Sequence, residues 1–484
     1  MDLNPEIHPD RVEVLKQTQR RTGRYVLYWM QGAQRVDDNH ALEYAIERAN
    51  ELDLPPLVLF CLTDGYPEAN LRHYRFMIEG LQDVAAGLKQ RSITFICLHG
   101  DPVELVSQLA IDAAVVVTER AYLRTPRTWR EELADSIACS LISVDTNLIV
   151  PLHVASQKRE WAARTIRPKL RRLFSTYCRP VPGLQARRSD PKFKLPRSLQ
   201  PIELSDTDGL LERLELDRSL QGVSHHFHGG QQEALRRMRS FLSDAFFSYA
   251  NFRNEPKQQA VSTMSPYLHF GHISPVRLAL EVLQVQHSDR PSEEQLSFDD
   301  LLDTDQPQDN GLIENQRTYL EELCVRRELA HNYVEWEPYY DRYTALPEWA
   351  RQTLTSHAGD RRPAIYDQQT LEAAATEDRY WNAAMNEMRR TGFMHNYMRM
   401  YWGKRIISWT SEPEQAFDIA LRLNNKYFLD GRDPNSWANV AWLFGLHDRP
   451  WPEREIFGTV RSMNANGLRR KCDIEGYLQW VDRL

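Results

Sequence analysis

DRYWNAAMNEMRRTGFMHNYMRMYWGKRIISWTSEPEQAFDIALRLNNKYFLDGRDPNSWANVAWLFGLHDR, residues 378–449, is the stretch around which the chain is organised. It reads as four successive helices. Asp378 offers a carboxylate to cap the first, and Gly392 a left-handed stop. The second starts near Met394 and ends before Ser411. Ser411 and Glu414 have the spacing of a capping box for the third, with Pro413 in its first turn. Asp433-Pro434 opens the fourth and Gly445 closes it.

The cargo of these helices is unusual. Trp381, Tyr397, Met398, Met400, Tyr401, Trp402, Trp409, Trp437 and Trp442 crowd the segment, interleaved with Arg399, Asn424, Asp430 and Arg432. Trp402 and Trp409 are two turns apart and share a helix face. Taken alone, such a pattern is what a tryptophan-rich core shows. The sharper reading is a large flat aromatic cofactor with a relay of indoles leading away from it.

Outward from this stretch, the N-terminal third has a different rhythm. Short apolar runs at 24–29, 57–62, 93–98, 113–119 and 141–145 alternate with helical patterns such as Ala41–Leu52 and Tyr74–Lys89. Runs apolar on both faces, separated by helices, predict a doubly wound parallel sheet, and hence an α/β fold class. The turn after the first run reads MQGAQR, so the GxGxxG dinucleotide fingerprint is absent. Gly100-Asp101-Pro102 follows the third run, at the edge where such sheets bind ligands. With 484 residues, two cores are expected. The predicted organisation is a Rossmann-like domain over 1–155, a basic and proline-rich linker over 156–225, and an all-helical domain over 226–484. The polar, acidic stretch 286–313 reads as an exposed, mobile excursion.

Hydrophobic residues make up 42% and charged residues 26%, the balance of a soluble globular protein. No apolar run reaches membrane-spanning length, and MDLNPEIHPD is acidic rather than signal-like. Six scattered cysteines without a CxxC pair predict reduced thiols, a cytoplasmic location and no metal site. A net charge of −7 excludes a protein that is basic all over, but nucleic acid needs only a local patch. Residues 158–197 supply one, with Glu160 and Asp190 as their only acids, and Arg461 with Arg469-Arg470-Lys471 forms a second cluster.

Two further segments carry candidate chemistry. In SYANFRNEPKQQAVSTMSPYLHFGHISPVR, residues 248–277, the hydroxyls and amides of Ser262, Thr263 and Ser265 precede a helix, which suits a phosphate. In YLEELCVRRELAHNY, residues 319–333, Glu322 and Arg326 are four apart and are expected to pair. Arg399 and Asp430 form a further candidate pair, functional if buried at a flavin and merely decorative on the surface.

With TIRPK (165–169), MSPYLHFGHIS (264–274), EELCVRREL (321–329), MHNYMRMYWGK (394–404), LNNKYFLDGRDPN (423–435), HDRPWPEREIFG (447–458) and GLRRKCDIEGY (467–477), the chain resembles the photolyase/cryptochrome family. The likeness is closest to class II cyclobutane pyrimidine dimer photolyases and runs from QRVDDNHAL (34–42) to the last helix.

The resemblance implies FAD, reduced and anionic when active, in the helical domain. Tyr249, Val261, Ser262, Thr263, Met264 and Ser265 would hold its phosphates. Glu322, Arg326, Asn396, Arg399, Asp430 and Gly431 would surround the flavin, with Asn424 facing N5. Trp402, then Trp381, then Trp409 near solvent would relay electrons to it. The implied activity is light-driven repair of cyclobutane pyrimidine dimers in UV-damaged double-stranded DNA by a monomer, on a dimer flipped out of the helix. Met400 and Trp442 would wall the flipped bases, Glu322 would bond the thymine edge, Arg277 would hold backbone, and Arg461 would fill the gap. An antenna chromophore, an 8-hydroxy-deazaflavin or a folate, is implied for the N-terminal domain. Asn396 and Ser436-Trp437 depart from the class II pattern, and a blue-light receptor on the same scaffold is the alternative.

Overall fold

The structure, a computed structural model, describes residues 7–19, 22–190, 193–285 and 311–484. Each apolar run of the N-terminal third is a strand: β2 Tyr25–Met30, β3 Pro56–Leu62, β4 Thr94–His99, β5 Ala113–Glu119 and β6 Ser140–Val144. All are parallel to their neighbours in the order β6-β5-β2-β3-β4. The alternation of side chains sorts the two faces. Val26, Tyr28 and Met30 face helices α1 His40–Leu52 and α2 Leu71–Gln90. Tyr25, Leu27 and Trp29 face α3 Pro102–Ala110 and α4 Arg124–Ser136. This is the doubly wound arrangement that two-sided apolar strands require.

A sixth strand escaped the sequence reading. β1, Val12–Lys16, pairs antiparallel with β6 at the sheet edge, and its register shifts between Val14 and Lys16. Its sequence, VEVLK, is half exposed and irregular, so it lacks the apolar run that marks a central strand.

The loop after β2 explains the missing fingerprint. The N–H groups of Gln31 (3.0 Å) and Ala33 (3.2 Å) donate to the carboxylate of Glu119, at the end of β5, and so does the Tyr28 hydroxyl (2.7 Å). Donors that a glycine-rich turn would present to a pyrophosphate are taken here by a buried side chain of the protein. Gly100-Asp101-Pro102 has a structural use: Asp101 caps α3 through Glu104 N–H (2.9 Å).

The chain divides into two compact units. One comprises Met1–Gln157, Arg172–Met238 and Met264–Gln284; the other comprises Lys158–Arg171, Arg239–Thr263 and Val285–Leu484. Within the first, the HFGHIS run packs on the loop after β2. Gly271 has φ +69, and a Cβ there would lie 2.1 Å from the Gly32 carbonyl oxygen, so only glycine fits. Of the acidic stretch 286–313, residues 286–310 lie outside the described residues, and the last three begin a helix.

The second unit is helical. Its elements include α5 Gly311–Leu320, α6 Arg327–Trp336, α7 Arg379–Thr391, α8 Asn396–Trp409, α9 Pro413–Tyr427, α10 Pro434–Leu443 and α11 Ile474–Asp482. α7 to α10 are the four helices of the opening stretch. Asp378 caps α7 through the N–H groups of Tyr380 and Trp381, and Gly392 ends it at φ +74. Asp433 caps α10 in a capping box with Ser436. The expected box at Ser411 and Glu414 does not form. Glu412 occupies the cap position with no side-chain bond, because the helix starts at Pro413, one residue later than that spacing needs. All six cysteines are buried thiols, with no disulfide among the described residues.

Candidate functional site

The EELCVR segment, Glu321–Arg326, continues α5 as a π-helical turn before α6 resumes. The wider turn, closed by Arg327 N–H on the Glu322 carbonyl, stacks residues five apart rather than four. The expected Glu322–Arg326 pair is therefore absent. Arg326, largely exposed, pairs with Glu321 (3.2 Å), which also takes a bidentate contact from Arg167 (3.0 and 2.7 Å). Glu322 is turned instead to Arg253 (2.7 Å).

Arg253, which the sequence reading did not single out, joins predicted residues. Its guanidinium lies 5.7 Å from the Tyr249 ring centroid and holds Glu322. It follows Tyr249 by four residues, a spacing that could have marked it. Tyr249 is buried against Tyr319 and Phe241, and the Tyr319 hydroxyl reaches Ser262 Oγ (3.3 Å). Thr263 adopts the left-handed region at φ +56, a strained conformation for a β-branched residue. Val261, Ser262 and Thr263 close one segment of the helical unit. Met264 and Ser265 belong to the other unit.

The Arg399–Asp430 pair is bidentate (3.1 and 3.0 Å), with the carboxylate buried. Arg399 also donates to the Met394 carbonyl and lies 4.0 Å over the Phe428 ring. The pair is charge-assisted and closed along both prongs. The loop that carries Asp430 folds against the end of α9. A Cβ on Gly431 would come within 2.8 Å of the Asn425 carbonyl oxygen, so this glycine serves close packing.

Asn424 is buried on α9. Its amide N–H donates to Asn425 Oδ1 (3.1 Å), and that oxygen also accepts from Arg432 N–H (3.0 Å). Asn425 Oδ1 is thus an acceptor, and the Asn424 amide is oriented by it. The Asn424 main-chain carbonyl accepts from Phe428 N–H (3.1 Å), whereas its side-chain Oδ1 accepts from no donor among the described residues. Asn396, by contrast, begins α8 with an exposed side chain. His395 caps that helix through its Nδ1, which accepts from Tyr397 N–H (3.3 Å). Burial, with Arg399 and Arg253 adding to it, pushes the imidazole down to about 4, so it is neutral with its proton on Nε2.

The three indoles are brought together. Trp381 donates its N–H to the Trp402 carbonyl (2.9 Å), and its ring meets Trp409 edge to face at 5.4 Å. Trp402 packs on Phe428 at 6.3 Å, and its own indole N–H has no acceptor among the described residues. Trp409 is not at the solvent boundary: it is 2% exposed, covered by Arg405 at 4.5 Å and by Tyr366 at 5.1 Å. An exposed terminal indole would cost apolar burial, and the cation and the phenol supply the cover.

Met400 and Trp442 are half-buried. Between them, α8 and α10 touch: a Cβ on Gly403 would fall 2.2 Å from Leu443, and the buried ammonium of Lys404 donates to the Leu443 carbonyl at the end of α10. Burial lowers Lys404 to about 7. Ser436 bonds the Asp430 carbonyl (3.0 Å) and Trp437 stacks on Tyr340 (5.8 Å), which gives both departures from the family pattern a packing role. Arg461 is exposed and lies 4.9 Å over Trp451, itself flanked by Arg449 at 5.8 Å. Arg277, in the other unit, pairs with Glu281 (2.8 Å) one turn on.

A sequence model of the DNA photolyase family matches residues 26–186. The chain is 42% identical to the deoxyribodipyrimidine photo-lyase of Methanothermobacter thermautotrophicus, over 99% of this chain and 98% of that one. It is 35% identical to the enzyme of that name from Arabidopsis thaliana, over 99% and 94%. Among solved structures, an archaeal photolyase from Sulfolobus tokodaii described with two FAD molecules superposes with a TM-score of 0.63 at 14% identity, over 94% of this chain and 89% of that one.

Proposed function

The chain belongs to the DNA photolyase family, and from that premise we propose that it repairs cyclobutane pyrimidine dimers in DNA in a light-dependent lyase reaction with FAD held in the helical unit, as a class II enzyme. The observation that carries the reading is the Asn424 side-chain oxygen, oriented through Asn425 and without a donor among the described residues, on the helix against whose end the Asp430 loop folds.

The donor set fits this cofactor. Tyr249, Ser262 and Thr263 supply hydroxyls, Val261 a main-chain amide and Arg253 a cation, the set that a pyrophosphate needs. Asn424 offers a neutral acceptor to a ring N–H, where a carboxylate would add charge. Arg399, balanced by Asp430, places a fixed cation near the same helices, which favours an anionic ring. FAD, reduced and bound there, supplies on illumination the electron that opens the cyclobutane ring.

The remaining work falls to side chains. Trp402, Trp381 and Trp409 carry electrons inward, with Trp402 innermost. Met400 and Trp442 give the apolar wall for the two extruded bases, whose poor stacking lowers the cost of extrusion. Glu322, held by Arg253, bonds the thymine edge. Arg461 with Trp451 fills the gap in the duplex, and Arg277 holds backbone. Arg326 and Asn396, both exposed, have weaker structural support as flavin contacts. In the sheet unit, the amide oxygens of Gln31 and Gln34 are buried without donors at the carboxyl edge, which suits an antenna chromophore of the deazaflavin or folate kind.

Purified protein with reduced FAD is expected to restore dimer-containing duplex under blue light and not in the dark. Protein that binds FAD yet leaves dimers intact in both conditions would refute the assignment.

A further inference from the structure

The start of the basic stretch, within the helical unit, is rigidly built. Asn332, fully buried, clamps the backbone on both sides of Arg159. It donates to the Lys158 carbonyl (2.9 Å) and accepts from Glu160 N–H (2.7 Å). Glu160 is buried and tied to Lys169. Held this way, the chain projects Trp161 outward, 70% exposed. A tryptophan so exposed on a braced segment is unexplained by packing.

Trp161 is not isolated. The Arg159 guanidinium lies 5.8 Å from its ring and 5.2 Å from that of Tyr333, and it neutralises Glu337. The Glu337 carboxylate also accepts from Tyr339 N–H (3.2 Å), and the Tyr339 ring is 53% exposed with Arg342 at 5.2 Å. Lys158, Arg164 and Arg342 are exposed on the two segments that carry the rings. On its far side Tyr333 meets His447 at 6.1 Å, and His447 begins the HDRPWPER loop that bears Arg449 and Trp451.

We propose that Trp161 and Tyr339, with Lys158, Arg164 and Arg342, form a platform for the DNA duplex flanking the lesion. The proposal rests on the reading of the HDRPWPER loop and Arg461 as the lesion-facing edge, which the platform extends through Arg159 and Tyr333. Charge selects the partner. Arg159 pairs with Glu337 and Lys169 with the buried Glu160, so in the two segments that carry the rings Lys158, Arg164 and Arg342 outnumber the remaining acid, Asp341, and the balance favours phosphates. The contacts are to backbone and sugar, so they act on undamaged duplex as well and carry no sequence preference.

The test compares Trp161→Ala and Arg164→Ala with the unaltered enzyme on two ligands: a dimer centred in a duplex of about two helical turns (~20 bp), and the same dimer in a short single-stranded oligonucleotide. Affinity for the long duplex is expected to fall about fivefold or more for Trp161→Ala, which removes the apolar surface the ring would bury against sugars. The salt slope of log Kd should lose about one unit for Arg164→Ala. Affinity for the short strand and the FAD content should stay as in the unaltered enzyme, since neither residue is buried. Unchanged affinity for the long duplex overturns the platform and leaves the patch to a protein partner. An equal loss on both ligands overturns it too, since the residues would then act at the dimer pocket. Failure of the repair reading appears separately, as absence of light-dependent repair by the unaltered enzyme, while the loss of affinity for the long duplex would still be read.

Discussion

Trp381 donates its indole N–H to the main-chain carbonyl of Trp402 at 2.9 Å, across the contact between α7 and α8. The bond locks the ring that bridges Trp402 to Trp409, so the order of the three indoles is set by helix packing and not by their spacing in sequence. Trp381→Phe keeps an aromatic ring but loses the donor. It should abolish photoreduction of oxidised flavin, followed by absorbance under illumination with an external reductant. Repair by chemically reduced enzyme should survive, and stability should fall by about 0.5–1.5 kcal/mol for the lost hydrogen bond, since the carbonyl keeps its own helical partner. Equal loss of both activities would argue against a relay.

Asp430→Asn removes the countercharge of a mostly buried guanidinium. A broken buried pair costs about 3–5 kcal/mol, and here the loss should appear chiefly as release of cofactor. The ratio of flavin to protein absorbance after gel filtration reads it. A variant that retains full flavin would place the pair outside the cofactor site.

Trp442→Ala should weaken binding of dimer-containing duplex by about 1–3 kcal/mol, the value of a base stacked on an aromatic. Flavin content should not change. Titration with a fluorescent duplex measures it, and an unchanged Kd would remove Trp442 from the wall.

Glu387 is wholly buried on α7, with the Tyr477 hydroxyl of α11 donating to it. Burial raises its carboxyl to about 8. The native state then holds a proton that the unfolded state releases between the ordinary carboxylate range and pH 8, so stability is lost as pH rises through that window. Glu387→Gln should flatten the fall of Tm between pH 6 and pH 8.5. An unaltered slope would show that Glu387 is ionised in the native state.

Lys404 gives the opposite sign. Its folded value of about 7 lies below the ordinary lysine range, so the unfolded state holds the extra proton above pH 7. Its contribution rises with pH above 7, by at most about 1.4 kcal/mol per pH unit, and is lost as pH falls. Lys404→Met should remove that rise in urea-unfolding series at pH 7.5 to 9.5. A slope equal to the unaltered protein's would show the ammonium charged in its buried site.

How much of this was legible in advance depends on the range over which each feature is decided. The parallel strands, the caps at Asp378 and Asp433 and the stop at Gly392 were readable because they rest on local periodicity and on backbone conformation within a turn. The motif residues named their own neighbourhood in the same way. What spacing could not give was partnership. Glu322 and Arg326 are four apart, yet a π-helical turn sends one to Arg253 and the other to Glu321. Trp409 looks terminal in sequence but is roofed by Arg405 and Tyr366. Glu119 occupies the amides that a nucleotide would use, from a strand far along the chain. Each of these is settled by side chains meeting across elements, where burial and charge are shared between segments that no local pattern connects.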